Sequence, residues 1–308
     1  MATLKQLRVT DPVLTKLAYG YYNALLVGEI LMPVVEIDKE AGKVPKFGRE
    51  AFRMRTTLRP VRAPSNVIDP DDLDSIDVAL DENDLAYPVD YREENEAFFS
   101  VKAYGLTVVQ DSICLMREQQ IATLAFDDTK YAASNKVALT GTDQFSDPNS
   151  DPFAVIDDAR TKVKRSIGRE PTSMVIPQDV FSALKKNKMV IEKMKSLHVA
   201  ILTPALLASW FEVPKVAIGG AVTADNADNL TDIWSKHIVM AYVPAEDPNR
   251  KRVIHEPSYG YTIRRKNGLF VDTYSGEGNK VTYVRCTDIS RPHLLGADAG
   301  FLIKDAIA

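Results

Sequence analysis

Residues 43–96 divide by charge in a way that limits what this chain can fold into. Between 43 and 62 stand seven basic residues, Lys43, Lys46, Arg49, Arg53, Arg55, Arg59 and Arg62, against one acid, Glu50. Between 66 and 96 stand twelve acids, beginning with Asp69, Asp71, Asp72, Asp74 and Asp77, against one base, Arg92. Core-forming residues are sparse here, and Pro60, Pro64, Pro70 and Pro88 interrupt regular structure. A long segment with so little to bury is a functional loop or a disordered one. The run Phe52-Arg53-Met54-Arg55-Thr56-Thr57-Leu58-Arg59 partly alternates, which is the pattern of a β-ribbon. The expectation is an extended two-stranded loop with a basic outward arm and an acidic return. A lone hairpin is marginal in water. Either its charges pair internally on a solvated surface, or the arm lies across a neighbouring molecule.

The remainder of the chain has ordinary globular character. Its 308 residues, 45% hydrophobic and 26% charged, suffice for one large domain or two modest ones. No apolar run approaches the roughly eighteen residues of a membrane span. The start, Met1-Ala2-Thr3-Leu4-Lys5, lacks a signal-peptide pattern, so synthesis in the cytoplasm is expected. The net charge of −4 argues against a protein that coats nucleic acid by counterion release, because such proteins are basic. It does not argue against a container that holds DNA without reading it. Cys114 and Cys286 are the only cysteines and lie far apart, which excludes a small disulfide framework and a C-x-x-C motif. Both are expected to be small buried apolar residues.

Periodicity places the elements. Leu14, Leu17, Ala18 and Tyr21 recur at helical spacing, and residues 30–37 read as a strand in which Pro33 marks an edge or a bulge. The strongest helix is 104–127, where Leu106, Val109, Ile113, Met116, Gln120 and Leu124 form a stripe widened by Val108, Leu115 and Ile121. Asp111, Arg117, Glu118 and Gln119 supply its polar positions. Its 24 residues would span roughly 36 Å. Residues 137–141 read as a short strand and 147–152 as a linker. Helices are expected at 153–166, 177–186, 189–195 and 204–210. Strands are expected at 173–176, 215–219, 237–243, 259–265, 269–274 and 280–286, with a turn at 276–279.

No catalytic constellation has a specific spacing. Nucleotide-binding glycine motifs, H-E-x-x-H and G-x-S-x-G are absent, and His198, His237, His255 and His293 are scattered. The Asp69–Asp77 run lacks the glycine and glutamate of an EF-hand loop. A loosely held calcium ion between subunits competes there with a solvated or arginine-paired acidic strand. No catalytic, cofactor or metal residue is assigned.

The order of these segments resembles the Hong Kong 97-type family of tailed-phage major capsid proteins, across nearly the whole chain. Residues 1–28 look like that family's N-terminal arm. Leu31-Met32-Pro33-Val34-Val35-Glu36-Ile37 looks like the strand entering its peripheral domain. The segment from about Gly48 to Tyr91 resembles the extended loop that reaches an adjacent subunit, and the helix at 104–127 resembles the long spine helix. Asp151–Ala159 looks like the start of the axial domain, which in the family also carries a strand like Pro171–Ile176. Pro257-Ser258-Tyr259-Gly260-Tyr261-Thr262 resembles a segment near the return into the final strands.

The resemblance implies an α+β fold divided into an N-terminal arm (1–29), a peripheral domain with the spine helix (30–47 and 92–149), an extended loop (48–91), a mixed axial domain (150–245) and returning C-terminal strands (246–308). It implies a structural protein, not an enzyme. Copies would assemble as pentamers and hexamers into an icosahedral head enclosing double-stranded DNA without sequence recognition. Arg53, Arg55, Arg59, Arg62, Asp69, Asp71, Asp72, Asp74 and Asp77 would make the inter-subunit contacts of the loop. The expected partners are further copies of itself, a portal, a separate scaffolding protein and a decoration protein, with no membrane. Two departures matter. No lysine occurs between Lys46 and Lys102, so the loop-lysine cross-link of some members is not expected. The arm begins at Met1 with no preceding scaffolding segment, so scaffolding is expected to be a separate protein or absent. The rival readings are an encapsulin shell on the same fold and an α/β enzyme whose site is not legible.

Overall fold

The structure is a computed structural model describing residues 11–19, 23–45, 54–67, 75–224, 229–245 and 252–308. In chain order, helix α1 (Pro12–Tyr19) precedes strands β1 (Val34–Ile37), β2 (Ala41–Pro45), β3 (Ser75–Ala79) and β4 (Glu82–Asp90). Helix α2 (Tyr91–Glu96) and the long helix α3 (Val101–Phe126) follow, then β5 (Lys136–Ala138). Next come α4 (Pro152–Ile167), β6 (Ser173–Pro177), α5 (Gln178–Leu184), α6 (Lys188–Ser196), α7 (Pro204–Phe211) and β7 (Lys215–Gly219). The chain ends with β8 (Val222–Ala224), β9 (Leu230–Asp232), β10 (Ile238–Ala241), β11 (Gly260–Ser275), β12 (Val281–Leu294) and β13 (Gly300–Lys304).

Two sheets carry the fold. One has four strands in the order β1-β11-β12-β4, antiparallel except that β1 runs parallel to β11. The other has five in the order β5-β13-β10-β6-β7, with parallel pairs at both edges. The helices have identifiable ends. Ser100 Oγ caps α3 by accepting from Ala103 N at 3.3 Å. Asp151 caps α4, Pro152 fills its first turn, and Gly168 closes it in the left-handed region with φ 68°.

Three clusters of buried side chains hold the layers together. The largest packs α4–α7 and the end of α3 against the five-stranded sheet, around Ile121, Ile156, Met174, Ile176, Trp234 and Phe301. A second fills the space between α1, α3 and the four-stranded sheet with Leu14, Leu106, Val109, Val271, Val284 and Cys286. A third sits under the β2–β3 ribbon, where Val44 and Val78 meet Tyr261, Ile263 and Leu295.

Several expected boundaries move. The strand expected over 30–37 begins only at Val34; Gly28–Ile30 forms a 3₁₀ turn, and Leu31 N bonds back to Gly28 O. The pairing begins where Pro33, which lacks a backbone N–H, offers its carbonyl to Thr262 N. Of the basic strand expected over 52–59, residues 52 and 53 lie outside the described residues, and 54–59 pair with no described strand, because their alternation has no buried face to serve. The paired ribbon lies at the loop's base instead, Ala41–Pro45 against Ser75–Ala79. Glu82–Asp90, which the resemblance assigned to the loop, is the edge strand of the four-stranded sheet. The strands expected at 259–265 and 269–274 are one, β11, with a register break between Arg264 and Leu269.

Candidate assembly surface

The described part of the loop tip, residues 54–67, is exposed throughout except at Ala63, which is half-buried. It turns at Pro60–Ala63, where Ala63 N bonds Pro60 O at 3.1 Å. Arg62 stands at φ 67°, the left-handed position that a turn of this kind gives to its third residue. Asn66 ties the two arms together by donating to Thr56 O at 2.9 Å and Leu58 O at 3.2 Å. The tip presents Arg55, Arg59 and Arg62 with no acid between residues 54 and 67. Arg59 donates to Ala63 O at 2.6 Å. Apolar residues are presented with them: Met54 is 99% exposed and Val61 91%.

Of the nine charged residues assigned to the loop contact, Arg53, Asp69, Asp71, Asp72 and Asp74 lie outside the described residues. Asp77 lies on β3, exposed, in register opposite Lys43 of β2. Opposite charges so placed stabilise the base of the ribbon by a few tenths of a kcal/mol, about 0.2–1. The structure thus separates the assigned charges: Asp77 belongs to the ribbon's base, and Arg55, Arg59 and Arg62 to its tip.

A second exposed surface escaped the sequence reading. It lies where β4 passes through α2 into α3. Phe98 is fully exposed and Phe99 is 62% exposed. Phe99 meets Tyr104 edge-on with ring centroids 5.9 Å apart, and Tyr104 meets Tyr87 at 6.2 Å. Gly105 makes room for this: a Cβ there would stand 2.6 Å from the Tyr87 ring. Helix α2 adds Glu93, Glu94 and Glu96, with Asp90 capping it through Arg92 N at 2.9 Å. Its one base, Arg92, folds onto Tyr91, with Cζ 5.7 Å from the ring centroid. The available signal was two adjacent aromatics directly after an acidic helix, at a spacing that puts neither on the buried stripe of α3.

Beneath these surfaces, buried charges fix the elements that present them. Glu118 on α3 is 3% exposed and has no ion-pair partner among the described residues. It accepts from Val27 N at 2.8 Å, Gly28 N at 2.9 Å and Trp234 Nε1 at 2.6 Å. Burial pushes its pKa up against the lowering pull of these donors. Asp288 on β12, 1% exposed, receives Arg264 Nε at 2.8 Å and Arg117 Nη1 at 3.1 Å, which joins the spine helix to the β11–β12 hairpin.

Little here serves covalent chemistry. Burial pushes the Cys286 thiol up to about 12 and raises Cys114, and both are free and protonated at neutral pH. Cys286 is buried as expected, whereas Cys114 is only half-buried. A cleft of about 350 Å³ beside α4 holds Lys193 over the Phe153 and Trp210 rings, and its Arg160 is paired with Glu212 at 2.7 Å. Among the described residues no group of three or more His, Cys, Asp or Glu is placed to hold a metal ion, and no helix is long and apolar enough to cross a membrane.

The comparisons agree with this geometry. A family model described as phage major capsid protein E matches residues 113–243. The major capsid protein of Burkholderia phage BcepMu is 48% identical over 304 residues, 99% of each chain. A phage-related protein from Bordetella bronchiseptica has a solved structure that matches with a TM-score of 0.82 at 28% identity, covering 97% of this chain and 98% of that one. An encapsulin from Synechococcus elongatus matches with a TM-score of 0.52 at 14% identity, over 96% of this chain and 95% of that one, and so shares the fold alone. The chain belongs to the family of phage major capsid proteins. That family is structural rather than an enzyme class, and membership makes the chain a self-assembling component of the virion's capsid.

Proposed function

We propose that the chain assembles as pentamers and hexamers into an icosahedral head of the Hong Kong 97 type that encloses double-stranded DNA without reading its sequence. The subunit is made in the host cytoplasm and joins a portal, a separate scaffolding protein and a decoration protein. On this reading, residues 48–81 form the extended loop, α3 is the spine of the peripheral domain, and residues 150–245 form the axial domain that converges on the symmetry axes. Arg53, Arg55, Arg59 and Arg62 and the acids Asp69, Asp71, Asp72, Asp74 and Asp77 set the affinity between subunits.

One observation carries the reading. The loop tip exposes three arginines and several apolar side chains to water. One exposed ion pair contributes only about 0–1 kcal/mol. Closed symmetry repeats it at every interface, so weak contacts sum to a stable shell while remaining individually reversible. The test is to reverse Arg55→Glu and Arg59→Glu together. Shell formation should fall while circular dichroism shows a folded subunit. Normal shells from this variant, seen by electron microscopy, would overturn the assignment.

A further inference from the structure

The two uncovered surfaces are complementary, and this points to what the loop touches. The tip, residues 54–67, carries three arginines and no acid; residues 90–100 carry four acids, Asp90, Glu93, Glu94 and Glu96, and one base, Arg92. Arg92 is held over Tyr91 and donates to its hydroxyl at 3.1 Å, and one base against four acids leaves the surface acidic.

The apolar parts match in the same way. The tip offers Met54, Leu58 and Val61, each at least 85% exposed. The acidic surface offers Phe98, Phe99 and Tyr104, continued along the outer face of α3 by Val108 and Met116. Exposed aromatics in contiguous groups mark contact surfaces, and aromatic faces bordered by carboxylates favour arginine through ring stacking and ion pairing at once. Within one subunit both surfaces stay open, so the tip does not cover the patch of its own chain.

We propose that the loop tip Met54–Val67 of one copy docks on the Tyr91–Tyr104 surface of a neighbouring copy. Arg55, Arg59 and Arg62 meet Glu93, Glu94 and Glu96, and the tip's apolar residues cover Phe98 and Phe99. Opposed charge sets which neighbour is captured and in which orientation, and the aromatic contact excludes water from the centre of the interface. The proposal rests on the reading of the loop as an inter-subunit arm and adds its receptor.

Charge exchange tests it. Reversing the patch, Glu93→Lys with Glu96→Lys, should lower particle yield at least tenfold, as reversing Arg55→Glu with Arg59→Glu does. Combining the two reversals should restore yield to within about threefold of the parent. A second measurement reads position directly. Val61→Cys with Phe98→Cys should give a ladder of linked subunits on a non-reducing gel after mild oxidation by a disulfide reagent, and neither single variant should. If the loop reversal blocks assembly while the patch reversal assembles normally, the receptor is elsewhere and this proposal falls, with the loop's role intact. If neither reversal affects assembly, the inter-subunit reading of the loop falls as well. Failure of the combined reversal to recover, together with particles of the double-cysteine variant that give no ladder, also overturns the pairing.

Discussion

Trp234 donates its indole Nε1–H to Glu118 Oε1 at 2.6 Å, joining the spine helix to the segment that leads into β10. The same carboxylate receives Val27 N and Gly28 N, so one side chain fastens three distant parts of the chain. The folded chain holds the Glu118 proton more tightly than the unfolded chain, whose carboxyl titrates near 4.5. The unfolded form therefore binds fewer protons above that pH. The contribution of Glu118 is full below about 4.5 and declines as pH rises through the raised folded-state pKa. Glu118→Gln keeps an acceptor oxygen for Trp234 and removes the buried charge. Its urea-unfolding stability should lose the downward slope that the parent shows above pH 4.5. A slope as steep as the parent's would refute the assignment. Glu118→Ala leaves the N–H donors unanswered and should cost about 3 kcal/mol.

The Asp288 contact answers to a different rule, because here the charges are paired. Its carboxylate faces two guanidiniums, Arg264 and Arg117, and Arg117 Nη2 also reaches Glu29 at 2.8 Å. Asp288→Asn keeps the shape and removes the counter-charge that these two largely buried guanidiniums share. The expected loss is about 3–5 kcal/mol, read from denaturant unfolding of the unassembled subunit. A change below about 1 kcal/mol would mean that solvent screens the arginines.

Side-chain period made the spine helix legible. The stripe through Leu106, Val109 and Ile121 requires a helix, and the structure extends it only three residues upstream, to Val101. Glu118 and Arg117 were not legible as buried groups. They occupy polar positions of that stripe, and a glutamate facing water reads the same as one facing Trp234, 116 residues away. The loop was legible as an exposed charged excursion but not as a shape. Alternation over 52–59 imitates a strand, yet it is Val44, Ile76 and Val78 at the base that have a core to face. Strand β13 went unread because Gly300–Lys304 is a short run buried on both faces, with neither alternation nor helical period to declare it.

Gly105 poses two opposed effects whose magnitudes decide the outcome. Within a helix, glycine costs about 1 kcal/mol relative to alanine. Here the alanine Cβ would lie 2.6 Å from Tyr87 Cδ1 and 2.9 Å from its Cγ. Overpacking of that kind costs about 1–3 kcal/mol, so Gly105→Ala should be destabilising by about 1 kcal/mol. In a Tyr87→Ala background the obstruction is gone, and the same substitution should become stabilising by up to about 1 kcal/mol. A Gly105→Ala effect equal in both backgrounds would show that the ring moves aside without cost.

The absence of lysine between Lys46 and Lys102 bears on how the shell holds together. An isopeptide bond needs an amine nucleophile, and the loop offers guanidinium groups in place of lysine amines. If the loop makes no such link, cohesion is expected to rest on contacts that heat and detergent abolish. Assembled particles boiled in detergent should run on a denaturing gel as one band of single-subunit mass, with no ladder. The same particles should lose stability as salt rises from about 0.05 to 1 M, because exposed charge pairs are screened once the Debye length falls to about 3 Å. A ladder in reduced, boiled samples would place a covalent link elsewhere in the chain. Salt-independent stability would shift the weight of the interface from the arginines to the aromatic contact at Phe98 and Phe99.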